Sequence, residues 1–457
     1  MAGEGLSVKT GRALILCVLT GLAAGLAAAG FYWLLETARF YLSESLAHYS
    51  PPLAAGEVPL YPAARHAEPL RWVLLVLPAL GGLLAALLVK WFAPSAGGHG
   101  TDAAIYAYHR NEGRIPFAVI PVKAVASALV IGSGGSAGCE GPVTQIGAGC
   151  GSAIASLLKL DAAERRVLMA AGLAAGVGAI FRAPLAGAIF AAEIFYSGLD
   201  IEYEVLMPSL VASTLAYAVF ALFFGWQPLF VMPEYAFDNP LKLVPYLILA
   251  LVVASGAKFY ILIFRQTESV CRAWRVPGWV KPGLGGVLTG VIGFVLPQVL
   301  GSGYGLIQQA LSVGSPLTER FGELSLAALV LIFFGKILAT SFTVGSGGSG
   351  GVFGPALVAG AALGAATGLT LMRAFPTLDL HPGAFALVGM AGFLAASVRV
   401  PIAAIIMVSE ITGNHGLLLP SMWVCGIAYW LGNGWTLYRS QVRTRDCSPA
   451  HSPQSPA

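Results

Sequence analysis

One string of residues occurs twice in the chain. GSGGSAGCEGP occupies 132–142 and GSGGSGGVFGP occupies 345–355, an offset of 213 with eight of eleven positions identical. The same offset carries Lys123 onto Lys336, each nine residues ahead of its loop. Further on, RAPLAGAIFAAEI at 182–194 matches RVPIAAIIMVSEI at 399–411 with an offset of 217, so four residues separate the two registers. A shorter pair, Gly98-His99-Gly100 and Gly301-Ser302-Gly303, precedes both loops. The chain therefore reads as two homologous halves, 12–225 and 243–440, with a linker at 226–242, an N-terminal segment at 1–11 and a tail at 441–457. Duplicated halves interrupted at matching places are an architecture of secondary transporters, in which the site forms where the repeats meet.

The residues between these motifs place the repeat in lipid. Hydrophobic residues make up 57% of the 457 positions and charged residues 11%, a balance that a soluble chain of this size does not present to water. Stretches long enough to cross a hydrocarbon core lie at 13–35, 72–92, 205–224, 244–263, 324–339 and 418–431. Shorter apolar pieces of about 10 to 15 residues, broken by Gly and Pro, predict half-helices or tilted helices, which membranes tolerate only where they line a wet path or are buried in protein. The first stretch lacks a cleavage site and reads as a retained span. Lys9 and Arg12 before it, and Arg439, Arg443 and Arg445 after the last, place both termini in the cytoplasm and the chain in a plasma or inner membrane.

Composition also excludes several functions. The net charge of +4 includes no dense basic patch, so no nucleic-acid partner is expected. The six cysteines, at 17, 139, 150, 271, 425 and 447, form no CxxC pair and read as reduced packing residues. No P-loop, zinc spacing or dinucleotide fingerprint is present, and no cofactor is expected. The tail from Cys447 onward is rich in Ser and Pro and reads as disordered. GGSAG and GGSGG fit a GxSxG nucleophile pattern, which would enlist Ser136 with His99 or His109. That pattern requires a strand and a sheet that an apolar helical chain does not offer, so the chain is not read as an enzyme.

The loops themselves suit an anion. Each ends in Gly-Pro before an apolar run, and Pro is favoured in the first turn of a helix, so helices are expected from Pro142 and Pro355. A helix start offers unpaired N–H groups and partial positive charge. Glycines ahead of it let the backbone approach an ion closely. Glu140 stands in the first loop where the second has Phe353. A carboxylate there competes for the anion site, blocking it when ionised and leaving it when protonated, unless it serves as a cap paired with Lys123. Lys123 and Lys336 lend electrostatic support or satisfy buried carbonyls, and Arg182 and Arg399 read as interfacial anchors whose heads snorkel to water. Glu193 and its partner Glu410 share a place near a helix end.

Taken together, GCEGPVTQIG, GSGGSGGVFGPAL, GHGTDAAI and LYRS resemble, in order and spacing, the GxEGP, GxFxP and GSGIP loops and the pore tyrosine of the CLC chloride channels and chloride/proton antiporters. The resemblance implies an all-α polytopic membrane protein of two inverted repeats with about eighteen broken and tilted helices, and a homodimer with one pore per subunit. It implies that Glu140 gates the path and that His99, Gly141, Val352, Phe353 and Tyr438 hold chloride or a similar small anion. Two positions depart from the family. His99 replaces its anion-binding serine, and Ile194, just after Glu193, replaces the inner glutamate of its antiporters. Ile194 points to a channel-like mode. The alternatives are an antiporter whose protons reach Glu140 through water and Glu193, and a carrier of another anionic solute.

Overall fold

The computed structural model describes residues 9–62 and 68–451. Its first half holds α1 (Lys9–Arg39), α2 (Arg71–Phe92), α3 (Gly100–Arg110), α4 (Val119–Gly132), α5 (Glu140–Leu157), α6 (Ala162–Phe181), α7 (Pro184–Glu193) and α8 (Tyr203–Phe224). The second holds α9 (Leu243–Ala273), α10 (Lys281–Val295), α11 (Tyr304–Ser312), the short α12 (Thr318–Phe321), α13 (Leu326–Gly345), α14 (Phe353–Ala374), α15 (Pro382–Ser397), α16 (Pro401–Thr412) and α17 (Leu418–Leu431). The protein is thus an all-helical polytopic membrane protein of seventeen helices among the described residues. Six segments are long and apolar enough to cross a bilayer, and α4, α7, α10, α15, α16 and α17 are shorter apolar helices, as the broken hydropathy predicts.

The repeats are inverted. Arg12 near the start of α1 lies 3.8 Å from Glu164 at the start of α6, Arg166 donates to the Tyr108 carbonyl at the end of α3, and His109 pairs with Ser448. These contacts gather both described termini on one side, which we call inner. From there α6 runs to Arg182 on the outer side, where that guanidinium donates to the carbonyls of Gly56, Phe224 and Gln227. Its counterpart α15 ends at Arg399 on the inner side, bonded to the carbonyls of Ser197 and Tyr429. The two arginines expected to snorkel are instead buried, at 6% and 3% exposure. Both follow a helix in the left-handed region, with φ of 56° and 69°. Their heads donate to carbonyls of loops and helix ends, buried acceptors that need a donor.

The inversion is stapled by a reciprocal pair of caps. Glu193 at the inner end of α7 accepts the amides of Ile402 and Ala403, at 3.1 and 2.8 Å, in the first turn of α16. Glu410 near the outer end of α16 accepts those of Leu185 and Ala186, at 3.3 and 2.8 Å, in the first turn of α7. Each carboxylate meets the positive end of the other half's helix. Glu193→Ala is expected to cost about 1–2 kcal/mol, the loss of a cap, and to lower the thermal unfolding temperature in detergent.

Helix pairs within each half close up on glycine. A Cβ at Gly147 of α5 would run into the Gly172 carbonyl of α6, and one at Gly360 of α14 would lie 2.8 Å from the Gly389 carbonyl of α15. Such small-residue contacts let helices pack by close van der Waals approach where water supplies no hydrophobic drive.

One expectation changes at the end of the chain. Residues 441–451, read as part of a disordered tail, form a strap along the inner side; the last six residues and residues 1–8 lie outside the described residues. Ser197 and Gly198 donate to the carbonyls of Val442 and Arg443, and Arg445 pairs with Glu202 and Glu204. Ser and Pro enrichment does not prevent a segment from ordering when buried carboxylates and carbonyls wait for it.

Candidate anion site

Both glycine loops and both GxG segments converge at the centre of the molecule. Gly138 and Gly351 exchange backbone hydrogen bonds of 2.9 and 2.8 Å, tying the first loop to the second. Gly98 bonds Gly347 and Gly350, while Gly301 bonds Gly134 and Ala137, so each half's GxG segment docks on the other half's loop. Lysine fixes each segment. Lys123 Nζ donates to the carbonyls of Ala96 and Gly98, at 3.0 and 2.7 Å, and Lys336 Nζ to those of Val299 and Gly301, at 3.1 and 2.7 Å. Both ammonium groups are fully buried and spent on carbonyls. Lys123 is therefore a staple of its own turn and forms no ion pair with Glu140.

The helices after the loops begin two residues earlier than expected, with Glu140 and Phe353 as first residues and Pro142 and Pro355 third. Proline fits there because first-turn amides have no intrahelical acceptor. Glu140 is buried, and its side chain reaches across the loops. Oε2 accepts the Gly354 amide at 3.0 Å, and Oε1 accepts the hydroxyl of Tyr304. The carboxylate thus sits on the N-terminus of α14, where an anion would sit. Tyr304 also receives Cys139 Sγ at 3.1 Å. Tyr304, Cys139 and Gly354 were not anticipated; the one hint was that Tyr304 directly follows the second GxG, as Thr101 follows the first.

Aromatic rings close in beside Glu140. Phe353 lies 5.6 Å from Phe181 and 5.5 Å from Phe190 between ring centroids, and these rings with Thr101 and Thr144 leave no room for a water. Toward the inner side stand His99 and Tyr438, with ring centroids 5.6 Å apart. His99 Nδ1 and Tyr438 Oη are both buried without a hydrogen-bond partner; Thr101 comes near the phenol without hydrogen-bond geometry. Two buried unpaired polar atoms are costly unless something polar completes them. His99 lines an inner vestibule of about 490 Å³ whose wall carries Arg114, Arg272 and Lys281 together with Asp102 and Glu268. Asp102 sets Tyr438 in place by accepting Ser440 N and Oγ at 2.8 and 2.9 Å.

Glu193 stays outside this line of groups, both oxygens held by amides of α16, and the adjacent Ile194 is fully buried, its carbonyl accepting Gln441. Ser136 Oγ pairs with Thr340, while His109 bonds Ser448 and the Phe195 carbonyl, so Ser136 is not paired with His109.

Residues 81–433 match the profile of the family described as voltage gated chloride channel. The chain belongs to the CLC family. It is 34% identical over 356 residues to the H(+)/Cl(−) exchange transporter ClcA of Citrobacter koseri, covering 77% of this chain and 73% of that one. To a ClcB-like chloride channel protein of Ralstonia nicotianae it is 31% identical over 362 residues, 78% and 82% of the two chains. Its fold superposes on a slow cyanobacterial Cl−/H+ antiporter with a TM-score of 0.75 at 25% identity, covering 92% of this chain and 94% of that one. A CLC-type fluoride/proton antiporter gives 0.78 at 21% identity, covering 96% and 100%, which bears on the fold alone. CLC proteins move anions across membranes, and the Glu140 carboxylate of this CLC chain is held by one backbone amide, that of Gly354, and by the Tyr304 hydroxyl.

Proposed function

We propose that the protein carries chloride or a similar small anion through a pore in each subunit of a homodimer, with Glu140 as the gate and a channel-like mode. The observation that carries this reading is the Glu140 carboxylate bonded to the Gly354 amide, because a group that binds there competes with any anion that does. Gly141, Val352 and Phe353 flank that seat with their backbone, and His99 and Tyr438 complete the inner end with their unpaired polar atoms. Protonation of Glu140 removes its charge and weakens its hold, so flux rises as pH falls. Ile194 supports the channel-like mode, since its side chain carries no proton and Glu193 is committed as a helix cap. The inner side is the cytoplasm of a plasma or inner membrane, in keeping with the arginines after the last span.

The similarity to exchange transporters favours a second reading, coupled exchange of anion and proton. Chloride flux from proteoliposomes, with reversal potential recorded across a pH gradient, separates the two. A reversal potential set by chloride alone is expected; one displaced by the pH gradient would establish coupling. Absence of chloride flux at every pH would remove both in favour of another anionic solute.

A further inference from the structure

On the outer side of Glu140 lies a group of titratable residues that none of the transport loops includes. Arg39 at the end of α1 pairs with Glu36 and Glu44. Glu57, in the loop between α1 and α2, accepts the Ala54 amide at 2.7 Å. A cavity of about 40 Å³ joins these residues to the gate: Glu36, Arg39 and Glu57 line one part of its wall, Cys139 and Tyr304 another. One water needs roughly 10–15 Å³ of such space, so the cavity admits more than one. Two further lining atoms, Arg39 Nε and Tyr49 Oη, are buried without a hydrogen-bond partner, the usual mark of a hydrated cavity.

We propose that Tyr304 latches the gate and relays protons to it, linking Glu140 to outer carboxylates Glu57 and Glu36 through water in this cavity. This rests on the reading of Glu140 as the gate. A proton from the outer solution adds to Glu57 and passes along cavity water to the Tyr304 oxygen. The phenol's own proton moves at the same time to Glu140 Oε1. Only O–H bonds form and break, one proton is transferred, and Tyr304 ends as it began. Cys139 Sγ, 3.1 Å from the phenol oxygen, orients it by donating its proton while Tyr304 donates to Glu140.

The charges around each station suit the transfer. Glu57 is pushed up to about 7, first by burial and then by the Glu36 carboxylate, with the Ala54 amide, Arg39 and Arg182 pulling the other way. It therefore exchanges protons near neutrality. Tyr32 of α1 also faces this group. At the gate end Lys336 is the cation whose charge acts on Glu140, and Tyr260 lies beyond it, bonded to the Val352 carbonyl.

The test is chloride flux in proteoliposomes after a jump in outer pH, with inner pH fixed, for the wild type, Tyr304→Phe and Glu57→Gln. Tyr304→Phe keeps the ring and removes the hydroxyl. Loss of a donor to the ionised carboxylate is expected to raise the pH midpoint of flux by about one unit, and the response should lag at least about tenfold longer. Glu57→Gln should lengthen the lag with little change of midpoint. The double variant Glu140→Gln/Tyr304→Phe should show no pH response of either kind. A wild-type response retained unchanged in both single variants overturns the relay and leaves the gate standing. Wild-type flux indifferent to outer pH overturns both.

Discussion

Glu140→Ala is expected to raise chloride flux at neutral pH and to flatten its dependence on pH. The carboxylate holds its seat with one bond from the Gly354 amide and one from the Tyr304 hydroxyl. Hydrogen bonds to a charged group contribute roughly 1.5–3 kcal/mol each, so an anion must displace about 3 kcal/mol or more, on the order of a hundredfold in occupancy. Part of that is returned when the incoming anion takes the same amide, so the observable gain is about tenfold to a hundredfold. Glu140→Gln should flatten the pH profile with a smaller gain, because the neutral amide keeps an oxygen for Gly354. Unchanged pH dependence in both variants would take Glu140 out of the gate role.

Gly351→Ala is expected to be as damaging from the opposite side of the site. A Cβ there would lie 2.7 Å from the Gly141 nitrogen and 2.8 Å from the Gly138 carbonyl oxygen. Both neighbours are backbone, fixed by the loop and by the start of α5, and cannot turn aside as a side chain would. Separating the loops strains or breaks the paired bonds between Gly138 and Gly351. Overpacking and two lost backbone bonds together cost about 3 kcal/mol or more. Thermal unfolding in detergent should show the loss, and flux should fall at least about tenfold, since the first turns of α5 and α14 no longer meet in register. Gly426→Ala, with nothing within 4 Å of its added methyl, is the matched control and should leave both measurements near wild type.

These two positions also show how differently the site was written into the chain. Glu140 was legible because the repeat isolates it: one loop carries a carboxylate where its copy carries Phe353. The glycines were legible as a class, yet which of them touches which backbone depends on two loops 213 residues apart. Glu193 and Glu410 were placed correctly near helix ends by their shared motif. That each caps the other's helix follows only from the antiparallel packing of α7 and α16.

Arg182 and Arg399 show the reverse case. Apolar surroundings and a long charged side chain read as an anchor reaching for water, since sequence cannot tell a lipid interface from a cluster of carbonyls that lack donors. The strap at 441–451 was misjudged for a related reason, because its polar composition says nothing of Glu202 and Glu204, which receive Arg445 across the inner side.

The sequence by itself determined the membrane class, the duplication, the loops that begin the central helices and the single carboxylate among them. All of these are properties of one segment or of its comparison with its copy. Only the tertiary structure decided that the halves interlock head to tail, that Lys123 and Lys336 are staples, and that Tyr304 closes on Glu140. Those depend on partners 164 to 214 residues away or on carbonyls at the ends of other elements. Hydropathy and helix capping act along the chain and can be read there, whereas the satisfaction of buried polar atoms is settled by whatever the fold brings within hydrogen-bond distance.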